Sequence, residues 1–335
     1  MILVTGGTGF LGAHLLYHLT RAGKEVRVVK REHSSLNLVH KIFSYYSKTP
    51  DILLSKIEWV TGDVLDLLSL QEAFRGVKEV YHSAAVVSFE SGAKKQMLHT
   101  NISGTANVVN VALEKNISKL CYVSSIAALG RSSDEKPITE STYFSSSENP
   151  SAYALSKYEA EREVWRGIHE GLNAVIVNPS VILGPGDWNT GSAKLFQTIY
   201  NGLKFYTRGV NGFVDVNDVA NVMILLMESD VAGEQFLVNA EDVSYQHLFS
   251  MMAEALKVKP PTREAGVFLS ALYWRLLALK SLLTGKKPTV TKETAQTAQQ
   301  VFHYDNGKLL KYFDFQYMPI RESVNRATEL FMKNL

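Results

Sequence analysis

Thr5-Gly6-Gly7-Thr8-Gly9-Phe10-Leu11-Gly12 is the stretch that decides the fold. The apolar run Ile2-Leu3-Val4 leads into it and an amphipathic stretch, Leu11 to Ala22, leads out, so the glycines occupy a strand-to-helix junction. A tight glycine turn there lets backbone N–H groups approach a pyrophosphate, and the helix start adds the positive end of its dipole. Gly6, Gly9 and Gly12, with Phe10 and Leu11 between them, are therefore candidate dinucleotide-binding residues. An ordinary glycine-rich loop is the alternative, since glycine triplets are common.

Working outward, short apolar runs alternate with amphipathic ones. Ile2 to Thr5, Glu25 to Val29, Ile57 to Val60, Glu79 to His82, Lys119 to Ser124, Ala174 to Val177 and Phe236 to Asn239 read as strands. Leu11 to Ala22, Leu68 to Phe74, Asn101 to Lys115 and Tyr153 to His169 read as helices. Alternation of this kind predicts an α/β fold with a doubly wound parallel sheet of Rossmann type, its ligand crevice beyond the carboxyl ends of the strands. After Pro179 the pattern loosens, with Gly184-Pro185-Gly186, Thr190-Gly191-Ser192 and Gly209 through Gly212 breaking shorter segments. Asp218 to Glu228 and Phe236 to Asn239 regain strand-helix character. The expected division is a dinucleotide-binding domain of 1–180 plus about 213–240, and a smaller, discontinuous C-terminal substrate domain of about 181–212 plus 241–335.

The 335 residues are 46% hydrophobic and 20% charged, with a formal net charge of +2, the mix of an ordinary globular protein. No clustered basic stripe proposes nucleic acid as a partner. No spacing of His, Cys, Asp and Glu reads as a metal site. The one cysteine, Cys121, forbids an intramolecular disulfide and fits a reducing compartment, and the first strand follows Met1 without room for a leader, so a cytoplasmic location is expected. Val267 to Leu283 (VFLSALYWRLLALKSLL) is rich in large apolar residues, but Arg275 and Lys280 interrupt it, and a spanning helix needs about 20 mostly apolar residues. It reads as a helix folded over the second region or its pocket, with an interfacial helix as the alternative and stable membrane insertion excluded.

Lys30 and Arg31 stand at the end of the second strand, where an acidic residue would accept hydrogen bonds from the adenosine ribose and cations would accommodate a 2′-phosphate. This favours NADP(H), although Glu32 follows and could turn toward the ribose of NAD(H). Tyr153 and Lys157 lie four apart after Asn149-Pro150-Ser151, a helix start, so they share a face. The spacing alone is cheap in a chain with 15 tyrosines. Its context is the apolar strand ending in Ser124-Ser125, which can bring a hydroxyl to the same crevice. A tyrosine with a pKa of about 10 needs a neighbouring ammonium to favour its phenolate. Lys157 would supply that field, Ser125 would hydrogen-bond a substrate oxygen, and Tyr153 would transfer its proton.

These motifs resemble those of an extended short-chain dehydrogenase/reductase, of the NAD-dependent epimerase/dehydratase superfamily, and most of all its dihydroflavonol 4-reductase-like branch. The resemblance runs over most of the chain. It includes Gly62-Asp63-Val64, His82-Ser83-Ala84-Ala85, Asn101 through Asn107, Tyr122-Val123-Ser124-Ser125, Asn178-Pro179-Ser180 and Phe213 through Ala220. It implies that Asp63 and Val64 face the adenine, that Ala84, Ala85 and Val86 line the cofactor channel, and that Pro179 through Ile182 pack near the nicotinamide. Lys157 would also hold the nicotinamide ribose, and a homodimer is compatible with the family. For Asp63 a helix-capping role is the alternative, for Ala84 to Val86 simple packing. Asn101 reads equally as a cap or a ligand.

Two departures matter. Sugar-nucleotide enzymes of this superfamily commonly carry arginines where this chain has Gly212 and Asn178, and their segment corresponding to Lys194 through Gly212 is longer. Arg208 could compensate, but the simpler reading is a smaller or less anionic substrate. The sequence thus points to an oxidoreductase interconverting a carbonyl and an alcohol on a small organic molecule. A nucleotide-sugar epimerase or dehydratase retaining NAD is the second reading, and a catalytically silent NADP-binding regulator the third.

Overall fold

A computed structural model of the protein describes residues 1–88, 91–131, 136–145, 150–284 and 291–335; for residues 91, 273, 278–284 and 293 it describes the backbone alone. The chain opens with β1 (Ile2–Thr5), α1 (Phe10–Arg21), β2 (Val26–Lys30), α2 (Asn37–Tyr46), α3 (Pro50–Leu54), β3 (Ile57–Thr61), α4 (Leu67–Ala73) and β4 (Glu79–His82). It continues through α5 (Lys94–Glu114), β5 (Lys119–Val123), α6 (Ala152–His169), β6 (Ala174–Pro179), β7 (Val181–Leu183), α7 (Lys194–Tyr200), β8 (Phe205–Tyr206), β9 (Val210–Asp215), α8 (Val216–Glu228) and β10 (Glu234–Val238). Last come β11 (Glu241–Ser244), α9 (Tyr245–Ala255), β12 (Arg263–Glu264), α10 (Val267–Thr284), α11 (Lys292–Thr297), α12 (Gly307–Tyr312) and α13 (Ile320–Met332).

The main sheet has seven strands in the order β10-β6-β5-β4-β1-β2-β3, every neighbouring pair parallel. The order reverses between β1 and β4, which leaves a crevice at their carboxyl ends. The central strands β1, β5 and β6 are buried along their whole length because both faces are covered. Ile2, Val4, Val28, Tyr81, Cys121 and Val175 point into a core under α1 and α8. Leu3, Val29, Val80, Leu120, Tyr122 and Ile176 point the other way, into a core under α4, α5 and α6. A side chain of this size contributes roughly 1.5–3 kcal/mol when fully buried.

A smaller sheet, β11-β9-β7, and a two-stranded one, β12-β8, lie beyond Pro179. A separate apolar cluster fills this region, drawing Phe196, Phe213, Leu248, Met252, Val324 and Phe331 together from widely separated segments. Asp215 ties it back to the main sheet. Its carboxylate caps α8 through the Asn217 N–H at 2.8 Å, receives the Ser323 hydroxyl at 2.5 Å and takes both hydrogen bonds of Arg326 Nη2 at 2.6 Å.

The structure corrects two expectations. The helix expected from Asn101 begins at Lys94, because the polar stretch before Asn101 conceals a single fully buried contact, Met97. Gly209 through Gly212, read as a break, contains the start of β9; a Cβ at Gly212 would collide with the Asn239 side chain and come within 2.9 Å of Tyr304. Between β2 and β3, helix α2 buries one of its faces through Val39, Ile42 and Phe43.

The segment Val267 to Leu283 is helical, within α10. Gln299, just after α11, donates to Ser270 Oγ at 2.8 Å and to the Ala265 carbonyl at 2.6 Å, fixing the start of the helix. Val267, Phe268, Leu272 and Leu276 are exposed, and Arg275 stacks over Trp274 at 4.7 Å. Among the described residues no helix is long and apolar enough to cross a membrane. The side chains of Tyr273 and Lys280 lie outside the described residues, as does Asn149.

Candidate active site

The glycine-rich turn joins β1 to α1 at the crevice. Gly6 has φ +74°, and a Cβ there would stand 2.6 Å from the Ala84 nitrogen, so the turn and the end of β4 approach as closely as backbones can. At Gly12 a Cβ would collide with the Gly6 carbonyl, which makes a bare α-carbon necessary for α1 to start where it does. The Gly9 N–H donates to the Gly6 carbonyl at 2.9 Å and closes the turn.

Helix α6 carries the next elements. Ser151 caps it by accepting the Ala154 N–H at 3.0 Å. Tyr153 and Lys157 then fall on one face, beside Ser125 at the end of β5. Burial raises the Tyr153 pKa, and a hydrogen bond with Ser125 pulls it down. The phenol is therefore protonated at neutral pH and ready to donate. Lys157 Nζ donates to the Val123 carbonyl at 2.7 Å and to Tyr122 Oη at 3.2 Å, and burial lowers its pKa to about 8, against the attraction of Glu161.

A strut under the crevice comes from α5. Asn101 accepts the Val86 N–H at 2.7 Å through Oδ1 and donates to the Val86 carbonyl at 3.0 Å through Nδ2, which also reaches Ser156 Oγ at 3.0 Å. It lies inside α5 rather than at its start, so it is not a cap. Gly104 makes room for Val64, whose Cγ2 would be 2.7 Å from a Cβ there, and Asn107 donates to the Val64 carbonyl at 2.9 Å. His82, buried and neutral because burial lowers its pKa to about 3, bridges Thr5 Oγ1 at 2.7 Å and Thr105 Oγ1 at 3.0 Å. Asp63 does not cap α4, a role taken by Asp66; its Oδ1 accepts the Leu65 N–H at 2.9 Å within its own loop.

These elements surround a cavity of about 570 Å³. Gly6, Gly9, Phe10, Leu11 and Gly12 line one side, and Ser125, Tyr153, Lys157, Pro179 and Ile182 another, with Ala85 at the end of β4. Lys30, Arg31, Asp63, Val64, Ala84 and Val86 lie outside its lining, at or just beyond the carboxyl ends of β2, β3 and β4. Neither Lys30 nor Arg31 has an ion-pair partner among the described residues. Ile126, Leu129, Ile138, Phe144 and Phe302 add apolar lining. Among the described lining residues the charged ones are Lys157 and Arg131, the latter stacked on Phe302 at 5.4 Å. Arg208 is not among them; it is paired with Glu264 at 2.7 Å on the surface.

Within the range Pro179 through Ile182, expected near the nicotinamide, one side chain stands out, and a row of three others escaped the sequence reading. Ser180 lines the cavity with a buried hydroxyl that has no partner among the described residues, so a ligand atom there would be the first to satisfy it. The Tyr304, Asn211 and Tyr245 side chains form a hydrogen-bonded row, 3.2 Å and 3.4 Å, at the same cavity. These three come from distant segments, and no short motif joins them. The constrained glycine turn, the open helix start and the unpartnered Ser180 hydroxyl all fit a dinucleotide.

The chain is similar to several known proteins. The chain is 27% identical to a protein of Synechocystis sp. named "Putative dihydroflavonol 4-reductase", over 99% of this chain and 94% of the relative. It is 29% identical to cinnamoyl-CoA reductase 1 of Petunia hybrida over 73% of this chain and 74% of the relative. The crystal structure of gox2253 superposes with a TM-score of 0.82 at 30% identity, covering all of this chain and 98% of that one. Residues 2–239, from β1 to the end of β10, match the family profile, and the chain belongs to the NAD dependent epimerase/dehydratase family.

Proposed function

We propose that this protein is an NADP(H)-dependent reductase that interconverts a carbonyl and an alcohol on a small organic substrate. The observation that carries the reading is the convergence of Ser125, Tyr153 and Lys157 on a cavity that the glycine-rich turn also lines. The similarity to proteins named as reductases supports it.

In this reading Gly6, Gly9, Phe10, Leu11 and Gly12 hold the pyrophosphate, and Lys30 and Arg31 meet the 2′-phosphate. Asp63 and Val64 flank the adenine, Ala84 to Val86 line the channel, and Pro179, Ile182 and Lys157 position the nicotinamide end. The bound nicotinamide supplies hydride to the carbonyl carbon. Ser125 donates a hydrogen bond to the carbonyl oxygen. Tyr153 gives that oxygen its proton, and the Lys157 ammonium stabilises the phenolate left behind. Alcohol oxidation runs the same proton path backward.

The substrate body faces apolar walls, and Asn211, Tyr245, Phe302 and Tyr304 meet it from residues assigned to the substrate region, about 181–212 plus 241–335. A nucleotide diphosphate finds one cation, Arg131, among the described residues beyond Lys157. A single buried cysteine, Cys121, and an NADPH-fed reaction fit the reducing cytoplasm.

The test is oxidation of added NADPH by the purified protein across a panel of apolar aldehydes and ketones. Multiple turnovers with NADPH and carbonyl are expected. Conversion of nucleotide sugars by protein carrying its own retained NAD, with no net use of added NADPH, would replace this reading with the epimerase or dehydratase one.

A further inference from the structure

Tyr153, Lys157 and Glu161 follow one another at intervals of four on α6, so a single helix face carries a phenol, an ammonium and a carboxylate. The proton path above has no use for the third. Glu161 is nonetheless only 5% exposed, and its Oε2 accepts the Ser124 hydroxyl at 2.6 Å and Asn178 Nδ2 at 2.8 Å. Trp165 Nε1 donates to Oε1 at 3.4 Å. A set of donors around both oxygens suits an ionised carboxylate, which only accepts.

The same Asn178 nitrogen donates to the Ser125 carbonyl at 3.1 Å. Glu161 therefore grips Ser124 directly and Ser125 through Asn178, the two residues that end β5 at the cavity. Around Lys157 stand Tyr153 and Glu161 from its own helix, Tyr122 from β5 and neutral His82 from β4. Of these Glu161 is the group whose charge favours the ammonium.

We propose that Glu161 is a positioning residue, whose carboxylate fixes the Ser124–Ser125 strand end and keeps the buried Lys157 ammonium charged. The need is electrostatic. A lone ammonium out of water tends to shed its proton, and a carboxylate out of water tends to gain one; each ion favours the other's charged form. Burial pushes the Glu161 carboxyl up, while the Ser124 and Asn178 donors and then Lys157 draw it down. The catalytic role of Lys157 rests on the reductase reading, but the influence of the Glu161 charge one helical turn away does not.

The full chain, labelled with 13C at lysine Cε and glutamate Cδ, is titrated by NMR with and without NADP+. In Glu161→Gln, which keeps the shape and removes the charge, the Lys157 midpoint is expected to fall by about one pH unit. The alkaline limb of kcat should move by the same amount, while NADPH affinity at neutral pH changes much less. An unmoved Lys157 midpoint in a folded Glu161→Gln protein overturns the proposal. If that variant does not fold, the unmodified protein decides: the Glu161 resonance should be that of an ionised carboxylate at about pH 7 and shift again as Lys157 titrates. A protonated Glu161 at that pH overturns it equally. A chain that turned over no carbonyl would sink the reductase reading and leave this resonance result standing.

Discussion

Asn101 holds the Val86 peptide from both sides, accepting its N–H at 2.7 Å and donating to its carbonyl at 3.0 Å. One side chain on α5 thereby does for the loop after β4 what a neighbouring strand would do. Replacing it with alanine strands both backbone groups and the Ser156 hydroxyl contact, at a cost of roughly 1–3 kcal/mol. We expect Asn101→Ala to lower the denaturation midpoint and to weaken dinucleotide binding, read by thermal unfolding and by fluorescence titration. Unchanged affinity for NADPH would remove the loop from the cofactor site.

Lys30 and Arg31, unpartnered by any described acid, are expected to make NADPH bind more tightly than NADH. Changing both to alanine should weaken NADPH at least tenfold, about 1.4 kcal/mol, with little effect on NADH. Isothermal titration of the two dinucleotides checks this, and equal affinities in the unmodified protein would reverse the assignment.

Tyr153→Phe should abolish carbonyl reduction by several orders of magnitude while leaving dinucleotide binding nearly intact, because the ring still packs and only the proton donor is lost. The same site sets an alkaline limit. Lys157 loses its proton with a midpoint of about 8 in the folded chain, so kcat/KM should fall above that pH. Stability moves the other way. Between about 8 and the ordinary lysine value of 10.5 the unfolded chain holds a proton that the folded chain has released, so this group's contribution to folding improves as pH rises. Parallel pH series of initial rate and urea unfolding would show the two curves diverging.

Arg326→Leu should be among the more damaging substitutions far from the cavity. It leaves the fully buried Asp215 carboxylate without its cation, a loss of roughly 3–5 kcal/mol for a buried pair broken on one side. A denaturant midpoint indistinguishable from that of the unmodified protein would mean that water or Ser323 suffices to hold the charge.

The sheet was legible in the sequence because most of its strands are buried on both faces and alternate with helical periods, with expected ends no more than two residues from those observed. The crevice residues were legible through the glycine turn and the spacing of Ser125, Tyr153 and Lys157. Glu161 was not, although its four-residue step from Lys157 was the available signal; a buried carboxylate and a solvated surface one look alike until Ser124 and Asn178 are placed beside it. Asn101 read as readily as a cap as a ligand because the polar residues preceding it hide two helical turns. Gly212 read as a break because a glycine that clears space for Asn239 and Tyr304 is indistinguishable, along the chain, from one that bends it. The row of Tyr304, Asn211 and Tyr245 exists only once three distant segments meet.

The bond between Asp215 and Arg326 also has a consequence for the order of biogenesis. A ribosome delivers β1 through β10 well before it delivers α13, so for that interval the carboxylate that caps α8 must find its partners in water, and the apolar faces of α9 and β9 that meet Val324 and Phe331 stay uncovered. Closure of the nascent chain is thus timed by its last helix: the sheet can pair beforehand, but the smaller region beyond Pro179 completes its apolar core only when residues 320–332 emerge from the exit tunnel.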